Sequence, residues 1–461
     1  MRTTTLSILL IAALAVPAYA DGEAKNVIFF LGDGMGPATV TAARVYRYGE
    51  DGQLHMESLP STARIKTYSN DAQTTDSAPS MSAYMTGIKM NNEVISMSSS
   101  TIAVAPGSGN TVDNCAVNGA NGSAVASLLE LAKAHGRAVG AVTTTRVTHA
   151  TPASTYAHIC HRDLENAIAA QVVPGGAGFN AALGTGLDVL FGGGRRHFLP
   201  TTAGGSRTDG RDLVAELQTQ GYAYAADRTA FNAIPTAATK AIGLFTSSHM
   251  SYELDRNAAN EPSLTEMTTR AIDILSKNTT GYVLVVEGGR IDHALHETNA
   301  KRALIDAVAF DDAIAATLAK VDLQNTLIVV TADHDHTLVI NGYAKRTGPT
   351  TVANPGILGL VKNVTGSALS LDAEGQPYSV LGFGNGDNRV AGTRLSMPAL
   401  TEAVTSADSY HQEAGVRMVA GGETHGGGDV MLMAGGAGST RFKGTMVNTR
   451  VFALVKQALG F

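Results

Sequence analysis

Asp292 and His296 stand four residues apart in the stretch Glu287-Gly288-Gly289-Arg290-Ile291-Asp292-His293-Ala294-Leu295-His296. On a helix that spacing puts both side chains on one face, where together they can grip one ion. A second group is Asp333-His334-Asp335-His336, a third is His425 among glycines, and a fourth is Asp33 between Gly32 and Gly34. Six of the thirteen histidines (149, 293, 296, 334, 336 and 425) fall in or beside such groups. Mixed histidine and carboxylate ligands favour zinc or a similar transition metal, all-oxygen sets favour magnesium, and there are ligands here for more than one ion. Each motif alone has a plainer reading, as a solvated helix face or a turn. Ser77 sits in Asp76-Ser77-Ala78-Pro79, which reads as a helix start because Pro79 fits a first turn. The serine is then near unsatisfied N–H groups that favour an anion, although Asp76 and Ser77 also make sense as ordinary caps. His149, Thr151 and Arg162 follow, and Arg is the residue that holds two phosphate oxygens with parallel donors. A Ser and an Arg beside a two-metal site suggest phosphoryl transfer.

These residues need strands to carry them. Lys25–Leu31, Ala138–Thr143, Tyr282–Val286 and Asn325–Val330 are short apolar runs rich in β-branched residues, as expected of strands buried on both faces of a parallel sheet. Four of the polar groups follow directly: Asp33, Thr151 with Arg162, Glu287 with Asp292 and His296, and Asp333 with His334. The carboxyl ends of such strands are where open α/β sheets keep their sites. A further strand runs into Gly192-Gly193-Gly194, where no hydroxyl or Lys follows as in a phosphate-cradling loop. Between strands, Ser263-x-x-Glu266 is a capping box, and Ala303, Leu304, Ala307, Phe310 and Ile314 keep helical period. The pattern is α/β, a central, mostly parallel sheet with helices on both faces. Two stretches depart from it: 91–123, read as a long surface excursion, and 338–420, read as an insertion on the carboxyl-end side, an interface or a lid.

Residues 1–20 read as a secretory signal, with Arg2, an apolar core from Leu6 to Val16 and the cleavage motif Ala18-Tyr19-Ala20. No later stretch approaches the length of a membrane span. Residues 21–461 are then expected as one exported catalytic domain, periplasmic or secreted. A net charge of −6 gives no reason to expect nucleic acid or an anionic membrane as partner. Cys115 and Cys160 are the only cysteines, and a bridge and two buried thiols are both compatible with them.

Taken together and in order, Gly-Asp33-Gly-Met-Gly, Asp76-Ser77-Ala, Thr-His149-Ala-Thr151-Pro, Ala-His158-x-x-x-Arg162, Val-Glu287-Gly-Gly-Arg-Ile-Asp292-His293, Thr-Ala-Asp333-His334 and Glu-Thr-His425-Gly closely resemble alkaline phosphatase. The resemblance runs from about residue 25 to the C-terminus and is weakest at 91–123 and 338–420. It implies Ser77 as a nucleophile forming a phosphoserine, and Arg162 as a phosphate clamp. It implies Asp292, His296 and His425 as ligands of one zinc, and Asp33, Asp333, His334 and Ser77 as ligands of a second. Asp33 would bridge to a magnesium held with Thr151 and Glu287, and His336 would orient a zinc ligand. His149 and His293 stand where the enterobacterial branch has Asp and Lys, so the pair resembles the animal and some marine bacterial enzymes. The helix after Ser77 departs from the family's small residues with Ala78-Pro79-Ser80-Met81. A homodimer acting on small phosphate monoesters is the corresponding expectation. Two other readings compete. A phosphodiesterase of the same superfamily would lack the partners Glu287 and Thr151, and a periplasmic phosphate- or metal-binding protein would need no nucleophile at a helix start.

Overall fold

The computed structural model describes residues 23–106, 115 and 121–461. The signal expected at 1–20 lies outside the described residues, as do 107–114 and 116–120 of the excursion. In chain order the strands are β1 (Asn26–Gly32), β2 (Ser61–Lys66), β3 (Ala138–Arg146), β4 (Val189–Gly193), β5 (Ala223–Ala225), β6 (Ala241–Leu244), β7 (Tyr282–Gly288) and β8 (Thr326–Thr331). They continue with β9 (Asp335–His336), β10 (Leu338–Ile340), β11 (Leu381–Gly386), β12 (Ala414–Arg417), β13 (His425–Gly426), β14 (Val430–Gly436) and β15 (Gly444–Val447).

Ten of these form one sheet in the order β15-β2-β14-β8-β1-β7-β3-β4-β6-β5. Every pairing in it is parallel except those of β14, which runs against both β8 and β2. The four apolar runs named above are β8, β1, β7 and β3, and they are consecutive neighbours. Their burial explains their composition: every residue of β7 and β8 is buried, and so is all of β1 except Asn26. Both faces of these strands are covered. Pro37–Tyr48, Leu264–Leu275 and Ala300–Lys320 form one group of helices. Ser77–Thr86, Leu128–Ala134 and Asn448–Leu459 form the other, and members of both groups reach β1 and β7. The chain is thus a mostly parallel α/β sheet with flanking helices. The expected capping box is present at Ser263 and Glu266, and a second one joins Ser127 and Glu130.

One sequence boundary shifts. Val94, Ile95 and Ser96 are fully buried, so the excursion leaves the body after them and not at 91. Within 338–420, β10, β11 and β12 build a small separate sheet. That sheet touches the site's rim, where the Asn385 side chain exchanges hydrogen bonds of 2.9 and 3.0 Å with Thr424. Cys115 and Cys160 form a disulfide, with Cα atoms 5.5 Å apart. No helix among the described residues is long and apolar enough to cross a membrane.

Candidate active site

The carboxyl ends of β8, β1, β7 and β3 open on one crevice, and the residues singled out above meet there. β1 delivers Asp33, and the turn beyond it needs Gly34. That residue has φ +64°, and a Cβ on it would sit 2.4 Å from the His336 ring. Ser77 is the first residue of Ser77–Thr86, capped by Asp76, whose carboxylate accepts from the Ala78 N–H at 2.7 Å. Pro79 therefore lies in the first turn, where its missing N–H costs nothing and the helix geometry is regular. Ser77 Oγ lies 3.3 Å from Asp33 Oδ1 and 3.2 Å from His334 Nε2, and the residue is buried.

Around Asp292 the histidines gather. Asp292 Oδ1 is 2.7 Å from His336 Nε2, 3.3 Å from His296 Nε2 and 3.6 Å from His425 Nε2. His296 and His425 bring their Nε2 atoms within 3.1 Å of each other. The short helix Arg290–His296 does what the four-residue spacing predicts, presenting Asp292 and His296 to one point. His425 is not on a free loop, as its glycine flanks suggest. β13 pairs antiparallel with β9, setting His425 opposite His336.

A second cluster joins Asp33, Asp333 and His334, and a third joins Asp33, His149 and Glu287. Glu287 accepts from the Thr145 hydroxyl at 3.0 Å and from Thr143, and Thr151 neighbours the same carboxylate. Burial pushes the Glu287 carboxyl up to about 7, and burial followed by the charges of Asp333, Asp292 and Glu287 raises that of Asp33 well above its usual range. Arg162 reaches the same crevice, donating to Asp76 Oδ1 at 3.1 Å and approaching His149 Nε2 at 2.9 Å.

Several atoms at the centre of this crevice are buried without a hydrogen-bond partner: Asp33 Oδ2, Asp333 Oδ2, Glu287 Oε1, Thr151 Oγ1 and His149 Nδ1. Buried carboxylate oxygens left unpaired cost several kcal/mol each unless a cation or donor meets them. These oxygens and ring nitrogens, converging in clusters no wider than 4.8 Å, fit divalent cations.

The sequence assigns no role to Glu423, His249, Thr143 or Thr145, which the fold brings into the site. Glu423 is buried. Its carboxylate accepts from His336 Nδ1 at 2.6 Å and the Thr337 N–H at 2.8 Å, and its carbonyl meets His296 Nδ1. It is the Glu of the Glu-Thr-His425-Gly motif, to which the sequence alone assigns no role of its own. His249 packs its ring 4.3 Å from His293 and 5.3 Å from His149, and Arg146 joins them at His249. Nothing local in Ser248-His249-Met250 signals this. Thr143, the last residue of the expected strand, and Thr145 beyond it alternate along β3, a period of two that places both on the Glu287 side.

A parallel α/β sheet whose strand ends carry a helix-start serine, an arginine and clustered cation ligands has the layout of a phosphoryl-transfer hydrolase. The alkaline phosphatase family profile matches residues 24–461. The tissue-nonspecific alkaline phosphatase of Gallus gallus is 38% identical over 92% of this chain and 82% of its own length. The membrane-bound alkaline phosphatase of Bombyx mori is 35% identical, over 94% of this chain and 79% of its own. Among solved structures, the Thermus thermophilus alkaline phosphatase superposes with a TM-score of 0.65 at 26% identity, covering 95% of this chain and 92% of that one. That of the Antarctic bacterium TAB5 shares the fold at the same TM-score of 0.65 and 23% identity, covering 95% and 99%. The chain belongs to the alkaline phosphatase family and is a phosphoric monoester hydrolase.

Proposed function

We propose that this phosphomonoesterase is metal-dependent and works through a phosphoserine on Ser77. The observation that carries the reading is the position of Ser77 Oγ. It sits at a helix N-terminus, between a carboxylate oxygen at 3.3 Å and an imidazole nitrogen at 3.2 Å, beside oxygens with no partner of their own. Asp292, His296 and His425 would hold one zinc, and Asp33, Asp333, His334 and Ser77 a second. Asp33, Thr151 and Glu287 would hold a magnesium, with His149 a further neighbour. A TAB5 alkaline phosphatase variant with 24% identity to this chain carries Mg in a site called M3, which agrees with a third cation in this family. When bound, the cations would favour the alkoxide form of the serine and offset negative charge on the ester oxygens.

The chain's own residues do the rest. Arg162, held at the serine helix start by Asp76, would donate N–H groups to the phosphoryl oxygens. The helix N-terminus adds its dipole. Ser77 Oγ forms a bond to phosphorus as the ester P–O bond breaks and the alcohol leaves. Water then forms a new P–O bond, the bond to Ser77 breaks, and inorganic phosphate is released. Glu423 and His336 hold Asp292 in place throughout.

Export to a periplasm or medium and homodimer formation belong to the same proposal. The first is supported by the signal-like residues 1–20, and the second by exposed apolar residues of 338–420 such as Tyr343, Val352 and Val419. The deciding experiment is acid quenching during turnover of p-nitrophenyl phosphate, followed by mapping of the phosphorylated peptide. A label on Ser77 is expected, and Ser77→Ala should lower kcat by at least about 10³-fold while keeping the fold. Undiminished turnover in that variant removes Ser77 from the mechanism.

A further inference from the structure

Arg162 lies on a segment without regular structure, between Ala150–Ala153 and the helix Glu165–Ala170. A long cationic side chain on such a segment loses its aim unless the backbone beneath it is held. Here the holding is dense and one-sided. Ile159 pairs with Ile95 in an antiparallel bridge, exchanging hydrogen bonds of 2.9 and 3.0 Å. His158 reaches Ser96 O and Glu130 Oε1, both at 2.7 Å, and exchanges hydrogen bonds with the Gln171 side chain. The Arg162 N–H donates to Glu93 O at 2.8 Å. Glu93 in turn donates its own N–H to Asp76, the cap of the serine helix, at 2.5 Å. Glu93 and Ser96 have φ of +71° and +46°, a region non-glycine residues seldom occupy, so their surroundings impose this conformation.

The covalent member of this set is the disulfide. Cys160 is fully buried, two residues before Arg162, and its N–H also donates to Cys115 Sγ at 3.1 Å. We infer that the Cys115–Cys160 bridge is a positioning device for Arg162, tying the arginine's segment to the chain beyond Ile95 so that the guanidinium stays at the Ser77 helix start. The inference rests on the reading of Arg162 as the phosphate clamp.

Four proteins test it: wild type, Cys115→Ala, Arg162→Ala and the double variant, each with kcat, KM, the inhibition constant for inorganic phosphate, zinc content and thermal midpoint measured. Cys115→Ala leaves the buried Cys160 as a thiol and should raise KM and the phosphate constant about tenfold, with a smaller change in kcat. In the Arg162→Ala background the same substitution should change the phosphate constant by less than about twofold, the non-additivity expected of groups acting as one unit. Equal factors in both backgrounds, or an unchanged phosphate constant in Cys115→Ala, overturn the inference and leave the bridge a general brace. A phosphate constant unmoved by Arg162→Ala itself overturns the clamp reading, and the inference falls with it. Should Cys115→Ala not fold, wild type reduced by a phosphine, with both thiols counted, supplies the same comparison.

Discussion

Position 293 shows how one side chain can tune a phosphatase. Burial pushes the His293 imidazole down to about 3, and Arg290 contacts it at Nδ1. The ring is therefore neutral at every pH where the enzyme would work. A Lys there keeps its charge to about pH 10.4 in ordinary surroundings. It would add a fixed cation beside a pocket that must let go of a phosphate dianion. We expect His293→Lys to lower the phosphate inhibition constant about tenfold, equivalent to about 1.4 kcal/mol of product binding, and to slow kcat where release limits turnover. Phosphate inhibition measured between about pH 8 and pH 10 checks this. A weaker or unchanged constant means that the side chain at 293 does not reach the phosphate.

Among the elements, the two-residue strand β13 organises the most for its length. Its pairing with β9 sets His425 opposite His336, and Glu423 just before it clasps His336 by its carboxylate and His296 by its carbonyl. One segment thus aligns three residues around Asp292. Glu423→Gln turns one acceptor oxygen into a donor facing donors. Zinc affinity, read by competition with a chromogenic chelator, should fall by about 10- to 100-fold. An affinity within twofold of wild type would reduce Glu423 to a structural bystander. Legibility follows the same division. The runs Ile28–Leu31 and Val283–Val286 announce their strands because burial on both faces leaves room for little but β-branched and aromatic residues. Asp292 and His296 announce themselves by helical spacing. Glu423, His249 and the Cys115–Cys160 link are assembled by tertiary contact between distant segments, and no local period encodes that. The order of motifs named the chemistry; the register of β13 and the strap behind Arg162 emerge only in three dimensions.

At the scale of the molecule, the metal-free crevice should be a source of instability that cations relieve. Glu287 is raised to about 7 and His336 to about 10, the carboxyl by burial and the histidine by Asp292 and Glu423 against the effect of burial. A group whose folded pKa is raised contributes stability below its unfolded value and loses it as pH climbs through the folded one. The histidines held low, such as His197 at about 4, are neutral in both states above about pH 7 and drop out of the balance. Chelated protein should therefore lose stability from about pH 7 to about pH 9.5, by on the order of 5 °C in Tm. Zinc and magnesium should raise Tm and flatten the profile through binding to the folded state alone. A metal-free Tm that rises across that interval would contradict a His336 imidazolium held by Asp292 and Glu423.

β2 has consequences for when a newly made chain completes its sheet. Its sheet partners are β14 and β15, the nearer of which is synthesised roughly 360 residues later. The serine helix that follows β2 leans on Asn448–Leu459, where Asn448 donates to Ser80 Oγ at 3.2 Å. At about 5–20 residues per second, translation leaves the nucleophile's strand without a neighbour for roughly 20 to 70 seconds. Asp33, Glu287 and Asp333 have been made well before β14 arrives. The serine helix also leans on Ala150–Ala153 and Leu128–Ala134, but its contacts with Asn448–Leu459 form only when residues 448–459 are in place. The last sheet neighbours of β2 and the last helix packed on Ser77–Thr86 are thus among the final pieces of the chain to be made.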